Sequence, residues 1–276
     1  MTDYVIAIPS HRRREMILEK TLAYLAKTDV DLSKVHVFVS SVEDRVDYAA
    51  HLPEQVKVVY TGPIKDIVEK FNLIHNYFPI GTKVLVLEDD VDMVIKKTGK
   101  NSVAPFLELT KLMKAGFMHC AIEGTALWGI APHSNPFYMK AEVSTSFKFV
   151  VANVYGFIST QKPGLRITLH AKSDYQRSIL YFIEYGSVVR INHIGVVTKN
   201  YKNAGGLQDA DYYDNRAGHE TMACAYLTAR YPHLVVRNEG KVSLYPELKL
   251  RTIKPGGGQD WKALQKIEDA HGGFAE

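Results

Sequence analysis

The stretch that most constrains this chain is Val84-Leu85-Val86-Leu87, which runs directly into Glu88, Asp89, Asp90 and then Asp92. A short apolar run bounded by Gly81 on one side and by charges on the other reads as a fully buried strand. Its carboxylates then lie at the strand's carboxyl end, where ligands bind in open α/β sheets. So many like charges at one strand tip repel one another unless a cation sits among them. Hard divalent ions such as Mg²⁺ or Mn²⁺ take oxygen ligands and bridge carboxylates to substrate phosphates. The alternative is a solvated acidic turn, and the rest of the chain decides between the two.

Strand and helix signals alternate from the start. Residues 4–8 form a short apolar strand ending at Pro9-Ser10-His11-Arg12, and residues 15–26 carry helical spacing at Ile17, Leu18, Leu22 and Leu25. Strands over 35–39 and 56–60 follow, then a helix over 64–77 that leads to the acidic strand. This order predicts a mostly parallel central sheet with right-handed crossovers, flanked by helices. Farther on, 110–115 reads as a helix end, 116–121 as a strand, and 124–138 as a loop containing Trp128, His133, Phe137 and Tyr138. A strand over 147–158, a helix over 173–184 stopped by Gly186, and short strands over 188–191 and 195–198 come next. A polar, glycine-rich stretch then precedes a helix over 219–231, a basic tail and a last helix over 260–270.

At 276 residues the chain suits one domain with a C-terminal extension. Residues 1–100 and 101–200 form its two halves, and 201–276 a lid and basic tail. A net charge of +4 permits an acidic partner without demanding one. Cys120 and Cys224 stand far apart and fit neither a disulfide framework nor a zinc cluster. No signal-peptide pattern opens the chain and no apolar run approaches the ~20 residues of a membrane span, so a cytoplasmic protein is expected. Oligomeric state is not set by these features.

Three segments together resemble a glycosyltransferase of the GT-A fold. Val5-Ile6-Ala7-Ile8-Pro9-Ser10-His11-Arg12 is similar to the first strand, whose end cradles the donor nucleotide. Leu87-Glu88-Asp89-Asp90-Val91-Asp92 is similar to the metal-binding acidic motif. Ser173-Asp174-Tyr175-Gln176-Arg177, with the helix that follows, is similar to the segment bearing the general base, although the family usually has two adjacent acids there. The likeness covers residues 4–198. The Gly124–Ile130 loop and the stretch 199–206 further resemble the phage TET-associated group, which decorates hydroxymethylated pyrimidines in DNA.

The resemblance implies a Mn²⁺- or Mg²⁺-dependent enzyme that moves a sugar, by default glucose, from a UDP-sugar to a hydroxyl. Asp90 would hold the metal, with Asp92 or His193 as further contacts. Pro9, Ser10, Arg12, Glu43, Asp44, Lys65 and Asp89 would hold the nucleotide sugar. Asp174 would take the proton of the acceptor hydroxyl, although an Asp opening a helix is also an ordinary N-cap. Trp128, His133 and Arg177 would face the acceptor, 5-hydroxymethylpyrimidine in DNA. Three other functions remain compatible: transfer to a saccharide or lipid-linked glycan, nucleotidyl transfer, and a non-catalytic nucleotide- or DNA-binding module.

Overall fold

The computed structural model describes residues 4–64, 66–198, 216–240, 243 and 245–253. Its strands in chain order are β1 (Tyr4–Pro9), β2 (Val35–Val39), β3 (Lys57–Tyr60), β4 (Lys83–Leu87), β5 (Val91–Lys97), β6 (Val103–Pro105), β7 (Leu127–Ala131), β8 (Val143–Ser144), β9 (Val154–Ile158), β10 (Val189–Thr198), β11 (Val235–Arg237) and β12 (Leu248–Leu250). The main sheet has the order β3-β2-β1-β4-β9-β7-β10-β5-β6, with β8 also on β10, while β11 and β12 pair separately. All strands of the main sheet but β5, β8 and β9 run in the same direction. The expected parallel sheet is therefore present in β3-β2-β1-β4, and antiparallel strands enter it beyond β4.

Helices cover both faces. One layer holds α1 (Arg14–Ile17), a π-helical turn (Leu18–Leu22), α2 (Ala23–Leu25), α3 (Val42–His51) and α5 (Leu109–Glu123). The other holds α4 (Ile67–Tyr77), α6 (Ser173–Tyr185) and α7 (Arg216–Arg230). β1 is sandwiched between them: Ile6 and Ile8 join the first apolar cluster, and Ala7 joins the second. Alternate side chains of a strand point to opposite faces, so a strand covered on both sides must be apolar throughout.

Several expectations change here. Residues 116–121 belong to the single helix α5, because Gly116 leaves room for an indole rather than breaking the helix: a Cβ there would lie 2.3 Å from Trp128. The loop expected over 124–138 contains the buried strand β7, and Trp128 on it is fully inaccessible. The strand expected over 147–158 is confined to β9, and the two short strands over 188–198 are one, β10, whose register shifts between Ile191 and Gly195. Among the described residues no helix is long and apolar enough to cross a membrane. Lys65, the polar stretch with Gly205, Asp209, Asp211 and Asp214, and the helix expected over 260–270 lie outside the described residues.

Candidate functional site

The parallel strands β1, β2, β3 and β4 end at the same edge of the sheet, as do β7 and β10. The antiparallel strands β9 and β5 begin at that edge. Residues far apart in sequence therefore meet there, among them Ser10 after β1, Asp89 and Asp90 after β4, Asn153 before β9 and His133 after β7. A cavity of about 670 Å³ opens at this edge, with Pro9, Asp174 and Tyr175 also in its wall. That volume suits a ligand of nucleotide-sugar size.

The acidic tip is held by a dense set of contacts. Ser10 Oγ donates to Asp89 Oδ2 at 2.7 Å and lies 2.8 Å from the Tyr48 hydroxyl. Arg13 donates to Asp89 Oδ1 at 3.2 Å and lies 3.9 Å from Asp90 Oδ2. Thr198 Oγ1 donates to Asp90 Oδ1 at 3.2 Å, tying the end of β10 to the acidic turn. Glu88 accepts a hydrogen bond from the Asn153 amide, and Thr21 Oγ1 donates to the Glu88 carbonyl at 2.7 Å. Burial, reinforced by the carboxylates of Asp90, Asp89 and Asp174, pushes Glu88 up to about 8. Asp89 is raised chiefly by burial, with Arg13 and Ser10 opposing.

Asp174 lies in the first turn of α6, but it does not cap that helix. The cap position is Lys172, in the left-handed region at φ 56°, with no side-chain cap bond. Asp174 Oδ1 instead accepts from the next backbone N–H, of Tyr175, at 2.9 Å. Burial raises its pKa, and the Arg177 guanidinium is the foremost opposing influence. A carboxylate in a cavity wall with its proton affinity raised has the chemistry of a general base.

Two lysines, Lys70 buried and Lys172 half-buried, complete the wall. Lys70 of α4 donates to the Ser10 carbonyl at 2.9 Å, and burial pulls it down to about 8 against the opposing pull of Asp44 and Asp89. Lys172 lies 3.1 Å from Glu220 of α7 and 3.9 Å from Glu247. Burial alone would lower Lys172, but these carboxylates outweigh it and its pKa is raised.

The residues singled out in the sequence divide accordingly. Pro9, Ser10, Asp89, Asp90, His133 and Asp174 share the cavity wall. Arg12 does not line it; its backbone N–H bonds Asp44 at 3.3 Å, and Arg13 is the arginine that faces the acids. Asp44 is buried beneath the rim, paired with His11 at 3.2 Å, and Glu43 beside it is exposed on α3. Asp92 points to Lys20, 3.5 Å away, because it belongs to β5 rather than to the turn. His193 sits in β10, five positions before the Thr198 end that meets Asp90, where burial and then Lys96 lower its pKa. Trp128 is excluded from any acceptor by its packing between Gly116 and Gly156. Arg177 is likewise buried, its guanidinium 3.7 Å over the Tyr155 ring.

Arg13, Lys70, Asn153 and Lys172 are among the wall residues the sequence reading missed. Lys70 left a trace: Ile67, Lys70, Phe71 and Ile74 form an i, i+3, i+4, i+7 stripe, and a cation on such a stripe is out of place. Asn153 and Lys172 left none, since the role of one depends on strand order and that of the other on the return of α7.

Among the described residues, no group of three His, Cys, Asp or Glu side chains is arranged to hold a metal ion. Asp90 does offer a carboxylate at the cavity wall. One carboxylate is compatible with Mg²⁺-type binding, in which substrate phosphates and water complete the shell. Hard oxygen donors fit such an ion, and Asp90 is the residue that would hold it.

No protein-family model and no curated protein matches the sequence. Solved structures do. Residues 1–349 of S. aureus TarS in complex with UDP-GlcNAc superpose with TM-score 0.53 at 11% identity, over 82% of this chain and 66% of that one. A second S. aureus TarS structure gives TM-score 0.51 at 12% identity, over 82% and 40%. The mannosyltransferase PcManGT from Pyrobaculum calidifontis, in complex with GDP-Man and Mn²⁺, gives 0.50 at 12%, over 80% and 63%. The fold is GT-A-like. This chain spans less than two thirds of the length of each of these neighbours. Its cavity opens where the parallel strands of the GT-A-like sheet end.

Proposed function

We propose that this protein is a metal-dependent glycosyltransferase that moves a sugar from a UDP-sugar to a hydroxyl. The observation that carries this reading is the shared wall: Asp90 at the tip of β4 and Asp174 at the start of α6 line one cavity at the carboxyl edge of a GT-A-like sheet. The nucleotide would lie against Pro9 and Ser10, with the cations of Arg13 and Lys70 beside the diphosphate. A divalent ion on Asp90, Mn²⁺ or Mg²⁺, would supply charge neutralisation for the departing nucleoside diphosphate. Asp174 would accept the proton of the acceptor hydroxyl as its oxygen attacks the anomeric carbon, and the bond from that carbon to the diphosphate breaks. Glucose is the first sugar to test, and a 5-hydroxymethylpyrimidine in DNA the first acceptor, following the resemblance of the 124–130 and 199–206 segments to the TET-associated group.

The test is transfer from a panel of radiolabelled nucleotide sugars to hydroxymethylated and unmodified DNA, with and without Mn²⁺. Label entering only hydroxymethylated DNA, and only with metal, is expected. Metal-dependent donor hydrolysis without labelled DNA would retain the transferase and move the acceptor to glycans. Asp90→Ala should abolish the Mn²⁺-stimulated part of UDP affinity. Asp174→Asn should keep UDP affinity and lose transfer by roughly a hundredfold or more, the scale of general-base catalysis; normal transfer by that variant would assign the base elsewhere.

A further inference from the structure

Beside the cavity lies a surface that the transfer chemistry does not use. Phe137 and Tyr138 are 70% and 63% exposed, although large aromatic side chains of an ordered loop are usually covered. Their rings are perpendicular to one another, with centroids 5.0 Å apart, and Tyr138 meets the His133 ring at 5.5 Å. His133 is itself in the cavity wall, so the three rings form a continuous path from the cavity to the surface.

The loop is built to hold them there. Lys97 donates to the carbonyls of Pro136 and Met139, at 2.7 Å each. Asn135 Oδ1 accepts from the Phe137 N–H at 3.0 Å, and Met139 is buried beneath. The Lys140 N–H bonds the Asn192 carbonyl at 3.2 Å. Two exposed rings on a loop pinned at both ends are preorganised, which lowers the ordering cost of binding.

Cations gather on the same side. Arg190 donates to the carbonyl of Phe149, a cavity-wall residue, at 3.2 Å. Burial and then the charges of Arg190 and Lys140 lower Lys148, with Glu142 as the opposing carboxylate. Burial and then Arg190 lower His133 as well. Arg190 also donates to Asn192 Oδ1 at 2.7 Å, the residue whose carbonyl Lys140 bonds, and Phe149 follows Lys148 in the chain, so Lys140, Lys148 and Arg190 share one region with the carboxylate of Glu142, 3.9 Å from Lys140.

We propose that the Phe137–Tyr138 loop, with Lys140, Lys148 and Arg190, is a platform for single-stranded nucleic acid that delivers one nucleotide past His133 into the cavity. Flat rings stack on exposed aromatics whatever the sequence, and phosphates pair with the flanking cations. A duplex hides its base faces, so the unpaired strand is the form that complements two exposed rings. This inference rests on the DNA-acceptor reading above and gives it a location.

The experiment is fluorescence anisotropy of a labelled twenty-nucleotide oligothymidine with the full chain, at about 50 and 200 mM salt. Phe137→Ala/Tyr138→Ala should weaken binding roughly tenfold or more while leaving Mn²⁺-dependent UDP affinity and the melting temperature unchanged. Lys140→Ala/Lys148→Ala should flatten the salt dependence by roughly two phosphate contacts. Equal affinity of the aromatic variant and the unaltered protein would overturn the proposal. So would tighter binding of heparin, a polyanion without flat bases, than of the oligonucleotide, or equal affinity for a blunt duplex. Oligonucleotide binding without UDP binding would sink the transferase and leave the platform standing. UDP binding without oligonucleotide binding would do the reverse.

Discussion

At the scale of single residues, the cavity wall holds charges that cost stability. Lys70 is 2% exposed and pulled from 10.5 down to about 8. Its unfolded form binds protons more tightly, so the native state bears a penalty of about 3 kcal/mol below pH 8. Stability should therefore rise as pH climbs from about 8 toward 10.5. Lys70→Met should melt no lower than the unaltered protein at pH 7 and bind UDP roughly tenfold more weakly, the cost of one charge-assisted contact. A lower melting point with unchanged UDP affinity would make Lys70 structural. Arg177 is comparable: its three nitrogens have no hydrogen-bond partner among the described residues, yet its charge opposes the upward shift of Asp174. Arg177→Met should raise the Asp174 pKa further, so the rise of transfer rate with pH should move to higher pH. An unmoved limb would separate the two residues. Acids at strand tips were legible as a class, because charge after an apolar run is a local pattern. Which arginine faces them was not, because the left-handed backbone of Arg12, at φ 51°, turns the chain so that Arg13 reaches Asp89.

Elements were readable where a local pattern decided them, and not where a distant side chain did. β1, β2 and β4 announced themselves as short apolar runs, and α6 ends at Gly186, left-handed at φ 75°, as the glycine stop predicts. The centre of the sheet was different. Gly116 of α5 and Gly156 of β9 look like breakers, but both face the Trp128 indole, where a Cβ would come within 2.3 and 2.1 Å of ring atoms. Trp128, expected in a loop facing the acceptor, is instead buried in the slot that these two glycines leave. Gly156→Ala should therefore destabilise the fold by about 1–3 kcal/mol through overpacking. In thermal melts the loss should partly disappear in the Trp128→Leu background, since the two changes share one contact. Fully additive losses would mean that the indole is not what Gly156 accommodates.

The whole molecule joins its two helical layers at the cavity. Ser10 and Asp90 approach from the ends of β1 and β4, Asp174 from α6, and Glu220 from α7, so the walls come from both ends of the chain. The helix α7 returns from the C-terminal part of the chain to meet the start of α6 through Lys172 and Glu220. That pair is nearly enclosed, with side chains 11% and 7% exposed. Breaking a buried pair costs at most about 3–5 kcal/mol, and less here because Lys172 keeps Glu247 at 3.9 Å. Glu220→Gln should therefore lower the melting temperature, and Lys172→Met/Glu220→Met should recover most of it. If instead Glu220→Gln melts normally, the link between α6 and α7 does not contribute to stability. A ligand filling the cavity touches all these walls together, so UDP with Mn²⁺ should shift one cooperative transition rather than melt the halves separately. At a hundredfold excess over its dissociation constant the stabilisation should be about 2.7 kcal/mol. Asp90→Ala should erase the metal-dependent part of that shift and leave the unliganded melt in place. A split transition on adding ligand would show that the two layers unfold independently and that the cavity does not couple them.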